Sequence, residues 1–171
     1  RRYNSPTKGY GNMSSGSWKH EDEAAVPAGR LFKASMLDWH NLGPKVVPEI
    51  IASGSVSGEG KAGSFREIKF TPALPFTHIK ERLEFVDEEK FEVKSSVVEG
   101  GNLGKEVESA ATHFKFESSA NGGCVVKVVA TYKLLPGVQP STDEIAKAKE
   151  AVTKHIKAAE AYLLANPTAY A

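Results

Sequence analysis

From Ser141 to Asn166 the chain runs without glycine or proline, directly after the breakers Pro136, Gly137 and Pro140. Ser141 and Glu144 form a Ser-x-x-Glu capping box at its start, so the run predicts one helix of about 24 residues, roughly 36 Å long. Ile145, Ala148, Val152, Ile156, Ala159 and Leu163 recur at spacings of three and four, which puts a single apolar stripe on one face; the opposite face is rich in Lys and Glu. A helix this long, apolar on one side only, must lie along an extended partner surface. Its stripe is also thin, because Ala148, Ala151, Ala158 and Ala159 are small.

The partner is written upstream with a period of two. Phe91, Val93, Ser95 and Val97 alternate with Glu92, Lys94 and Ser96; Thr112, Phe114 and Phe116 with His113, Lys115 and Glu117; Val126, Val128 and Tyr132 with Lys127 and Lys133. Gly100, Gly101 and Gly104 separate one pair of runs, and Asn121, Gly122 and Gly123 another, as in hairpins. The sum is an antiparallel meander with one wet face, in which alternation begins at Ser55. Ahead of it, Pro27 opens a short helix carrying Leu31, Phe32, Met36 and Leu37, and a second lies between Asp38 and Ile51, interrupted by Gly43, Pro44 and Pro48. Trp18 to Val26 is too charged to be assigned as a strand. A bent sheet over a thin helical stripe either leaves a hollow or lets the helix settle closer, and pattern alone leaves both open.

Composition narrows the function classes. With 22 basic and 21 acidic residues among 171, the net charge of +1 provides no electrostatic footprint for nucleic acid or an anionic membrane. The lone Cys124 cannot pair within the chain, which fits a cytoplasmic setting, and no apolar run is long enough for a membrane helix. His20, His40, His78, His113 and His155 show no metal-ligand spacing, so neither a metal nor a cofactor is expected. Residues 1–12, polar and ahead of Met13, read as a leader outside a single domain spanning 13–171.

Four stretches carry a resemblance: VPAGRLFKASMLD (Val26 to Asp38), SGEGKAGSFREIKF (Ser57 to Phe70), VVEGGNLG (Val97 to Gly104) and EAYLLANPTAYA (Glu160 to Ala171). Together they resemble the plant pathogenesis-related class-10 proteins, the Bet v 1-like family, over Ser14 to Ala171. The resemblance implies an α+β helix-grip fold: a seven-stranded antiparallel sheet wrapped around the long C-terminal helix, two short helices in a V, and a large apolar cavity. It implies a defence-related monomer that binds small amphipathic molecules such as cytokinin, abscisic acid, flavonoids or sterol-like compounds. The expected lining is Ile68, Phe70, Ile79, Glu81, Val93, Ser95, Val97, Thr112, Phe114, Tyr132 and His155, with Ser95, Tyr132 and Glu81 orienting the ligand. Glu81 is placed beside Ile79, Leu83 and Phe85 on the inner face, and Ala151 and Ser95 are expected to border empty space.

The glycine loop of Gly58, Gly60, Lys61 and Gly63 joins strands and lacks the G-x-x-x-x-G-K-[ST] spacing of a nucleotide loop, so it reads as a tight hairpin. Here the sequence departs from the family, with Lys61 where a glycine is common and Arg66 where a lysine is common. Ribonuclease activity, attributed to family members, would fall on Arg66, Glu108, Glu160 and Tyr162, with RNA as substrate only in that case. Arginine holds its proton too tightly to act as an acid at neutral pH, which counts against this reading. The norcoclaurine synthases share the fold, but their catalytic set cannot be matched here; nor can the loops of the hormone-receptor branch that inhibits phosphatases.

Overall fold

Seven antiparallel strands form one sheet in the computed structural model, which describes residues 15–139 and 141–171. The strands are β1 (Ser15–Ala24), β2 (Ile51–Ser57), β3 (Phe65–Phe70), β4 (His78–Asp87), β5 (Glu92–Gly100), β6 (Val107–Ser118) and β7 (Cys124–Leu134). Their order is β1-β7-β6-β5-β4-β3-β2, a meander whose first strand returns to pair with the last. Bulges at Ile51/Ser53, Lys80/Glu81, Leu83/Phe85 and Val107/Ser109 bend the strands, and the sheet curls around the long helix α3 (Thr142–Ala165). Two short helices precede β2: α1 (Ala28–Phe32), continued by a π-turn over Lys33–Leu37, and α2 (Trp39–Val46). The leader reading of residues 1–12 and the breaker Pro140 lie outside the described residues.

Local chemistry explains most boundaries. The Ser141 hydroxyl accepts the Glu144 amide, so Ser141 caps α3 where the sequence placed its start, while the Glu144 carboxylate turns to Lys147 rather than back to the Ser141 amide. The glycine loop is a hairpin between β2 and β3, with Gly58, Gly60 and Gly63 at φ of 99°, 75° and 91°, and the Gly63 amide returns to the Leu83 carbonyl. Unlike the sequence expectation, α2 runs through Gly43 and Pro44. Proline removes the amide that would bond the His40 carbonyl, and β2 approaches that carbonyl at Gly54, where a Cβ would collide with it. Two further expectations need correction. Ser15–Ala24 is a full edge strand, its charged residues being spread over both faces, and β2 begins at Ile51 rather than Ser55.

The inner face carries a core that is denser at one end. Phe32, Phe116, Leu31, Val126, Val128, Ile156, Ala159 and Leu163 are fully buried there, with Phe32 edge-on to Phe116 at 5.5 Å and tilted on Phe91 at 5.8 Å. At the other end of α3, Ile145, Ala148 and Val152 are only half-buried. The C-terminal residues are clamped back by Arg30, whose guanidinium donates to the carbonyls of Leu163, Asn166 and Ala169, and by Tyr170, whose hydroxyl donates to Asp38.

Candidate functional site

The hollow begins where two strands part. The β5–β6 ladder ends at Ser96↔Ala111, yet β5 continues to Gly100 and β6 starts at Val107, so the sheet splays at that end. Small inner-face residues, Ala110 and Ala130, leave the space unfilled, and α3 crosses it with Ala148 and Ile145. The result is a cleft of about 330 Å³, open to solvent at one side. Ile79, Val97, Leu103, Val107, Leu134 and Val138 form its apolar walls, with Trp18 and Phe76 contributing aromatic faces. Tyr132 lies across β1 over Gly16, where a Cβ would collide with its hydroxyl. Polar groups reach the cleft from Tyr132, Thr112, Asn102, Gln139, Ser141, Glu106 and Glu144.

Of the eleven expected lining residues, Ile79, Val97, Thr112 and Tyr132 line this cleft. The others lie elsewhere for identifiable reasons. Ile68 and Val93 are buried in the core, against which Phe114 packs, and Phe70 packs edge-on to Phe76. Ser95 is buried with its hydroxyl 3.3 Å from that of Thr112, and Ala151 is exposed on the outer side of α3, so neither borders the space. Phe85 is on the outer face, 44% exposed, because the bulge at Leu83/Phe85 reverses the alternation. Periodicity along the strands could not have found Trp18, Phe76, Leu103, Glu106 or Val138, which come from an edge strand and loops.

Glu81 and His155 belong to a separate polar cluster built on the π-turn. The run breaks at Asp38, so the Ser35 and Met36 carbonyls belong to a last helical turn and have no amide ahead of them; His155 Nε2 donates to the first at 2.8 Å and Arg66 Nη1 to the second. Arg66, 9% exposed, is then paired by Glu81 at 3.3 Å. His155 stacks on Trp39 with ring centroids 4.0 Å apart. Burial pushes its pKa down to about 3, assisted by the Arg66 charge and opposed by the bond to Ser35. Burial also lowers the pKa of His40, with Asp38 opposing and Arg66 assisting. These groups hold the short helices to the sheet and to α3.

The residues of the ribonuclease reading each have their own partners. Arg66 is committed to Glu81 and Met36; Glu108, exposed on β6, pairs with Lys133 at 3.1 Å. Glu160 accepts the Ala25 amide at 2.6 Å and pairs with Lys157, and Tyr162 packs edge-on to Tyr170. No two of the four share a partner. Lys61 is exposed beside Glu59 on the glycine hairpin. Among the described residues no group of three or more His, Cys, Asp or Glu is placed to hold a metal ion, and no helix is long and apolar enough to cross a membrane.

A curved seven-stranded sheet gripping one long helix above an apolar cleft defines a helix-grip protein. More narrowly, the chain belongs to the Pathogenesis-related protein Bet v 1 family, whose sequence model matches residues 13–166. It is 68% identical over 160 residues to Pathogenesis-related protein 1 of Asparagus officinalis, across 92% of this chain and 99% of that protein. Major pollen allergen Bet v 1-M/N of Betula pendula is 34% identical over 155 residues, covering 90% and 97%. Among solved structures, Ara h 8.0201 shares the fold with a TM-score of 0.78 at 23% identity, over 89% of this chain and 99% of that one.

Proposed function

We propose that this chain is a defence-related carrier that reversibly takes up one small amphipathic molecule, of the size of a phytohormone, flavonoid or sterol-like compound, in the cleft under the first turns of α3. The observation that carries this reading is the apolar space of about 330 Å³ with a few polar groups around it. That volume falls in the roughly 300–1,000 Å³ range of small-molecule sites. Removing about 200 Å² of apolar ligand surface from water contributes on the order of 5 kcal/mol before ordering costs, so useful affinity needs no elaborate polar recognition. Tyr132 and Thr112 offer hydroxyls that can orient a ligand without selecting one narrowly.

Titration with the neutral fluorophore N-phenylnaphthylamine tests the reading. One saturable site per chain is expected, displaced by flavonoids and lost in Ala148→Phe, which fills the cleft from the helix side. Absence of saturable uptake by the wild-type protein contradicts it.

A further inference from the structure

The cleft has a sign. Its charged lining residues are Glu106 and Glu144, and among the described residues no Lys, Arg or His lines it. Glu106 is half-buried and makes no ion pair or side-chain hydrogen bond among the described residues. Glu144 stands in the first turn of α3 beside Asp143 and meets only the exposed Lys147 at 3.4 Å. Among the described residues the nearby bases do not line the cleft: Lys105 is exposed, and Lys133 pairs with Glu108. The start of a helix carries about half a positive charge, which the carboxylates of Asp143 and Glu144 outweigh.

Resting on the carrier reading above, we infer that the cleft selects neutral or cationic amphiphiles, amines included, and discriminates against carboxylates, with Glu106 and Glu144 as the specificity-determining residues. A ligand carboxylate at the mouth would lie beside like charges, and among the described residues the one cation in contact with them is the exposed Lys147, already paired with Glu144. Turned inward, it would meet only neutral groups such as the Tyr132 and Thr112 hydroxyls and be stripped of water without a counter-ion. An alcohol avoids both costs, and an ammonium at the mouth gains an attraction. Carboxylic-acid hormones, abscisic acid among them, therefore rank below neutral flavonoids and basic heterocycles.

Three ligands with one apolar body separate the charge effect from binding itself: naphthylethylamine, naphthylethanol and naphthylacetate, each displacing N-phenylnaphthylamine at neutral pH and low salt. The amine and the alcohol are expected to compete at concentrations about tenfold lower than the acetate, a gap that shrinks at high salt. Glu106→Gln/Glu144→Gln should close the gap by improving the acetate; the single Glu106→Gln, away from the helix cap, should close part of it if the double variant folds poorly. Equal or tighter binding of the acetate overturns the inference while leaving the carrier reading intact. A gap that persists in the folded variants overturns the assignment to these two residues. If the neutral fluorophore itself shows no saturable uptake, the carrier reading fails and this inference with it.

Discussion

The two halves of α3 use the same apolar stripe for opposite ends. Around Ile156, Ala159 and Leu163 the stripe is sealed by α1, Phe116 and the clamped C-terminal residues, and nothing is left open. Around Ile145 and Ala148 the strands beneath have parted, no aromatic side chain rises from α1, and the same kind of stripe roofs a cleft. Alanine serves both situations: Ala159 is fully buried in close packing, while Ala148 borders open space. Whether a small helical residue makes a cavity is thus decided by the element facing it.

The comparison breaks most visibly at the sealed end. Phe116→Ala should cost about 3–5 kcal/mol in urea unfolding, because Phe32, Phe91 and Leu163 cannot collapse fully into the space left. A cost similar to that of a substitution in the cleft would mean the two ends are packed alike. Arg66→Ala should rank behind it, at roughly 3 kcal/mol, the low end for breaking a buried pair, since it leaves the part-buried Glu81 without its cation and the Met36 carbonyl without its donor; replacing Glu81 as well, by Gln, should recover part of the loss.

An intermediate effect depends on pH. His155 has a pKa near 3 in the folded protein against an ordinary value of 6.5, so between these limits the unfolded chain binds the extra proton. Its stabilising contribution is complete above pH 6.5 and is lost as pH falls toward 3, with a slope of up to roughly 1.4 kcal/mol per pH unit. Comparing urea midpoints of wild type and His155→Gln across that window isolates this slope from the carboxylates' contribution; parallel curves would remove it.

Smaller contrasts sharpen the picture. Ala148→Leu should change stability by less than about 1 kcal/mol, because the side chain enters open space, whereas Ala159→Leu should cost about 1–3 kcal/mol by overpacking. The smallest effect is expected at Glu108→Gln, under about 0.5 kcal/mol, since its pair with Lys133 is exposed and screened.

Local signals were readable and long-range ones were not. The Ser141 cap, the hairpin glycines and the inward row of Val93, Ser95, Thr112 and Val128 follow from spacing alone, because each depends on neighbours along the chain. β1 was missed because His20 and Asp22 point inward and find their partner, the Thr153 hydroxyl, more than 130 residues away. Alternation also identifies a face without locating the hollow along it. Val93 and Ser95 occupy the correct face, but lie toward the end plugged by Phe32 and Phe91. The roles of Arg66 and His155 depend on the last-turn carbonyls of Met36 and Ser35, 30 and 120 residues away, which no local pattern announces.

Chemical-shift mapping during titration with N-phenylnaphthylamine tests the contrast between the two ends most directly. Saturable shifts should gather at Val97, Ala110, Thr112, Tyr132, Ile145 and Ala148, while Phe116, Ile156, Ala159 and Leu163 stay unchanged. Shifts centred on the second group, or none that saturate, would contradict the account.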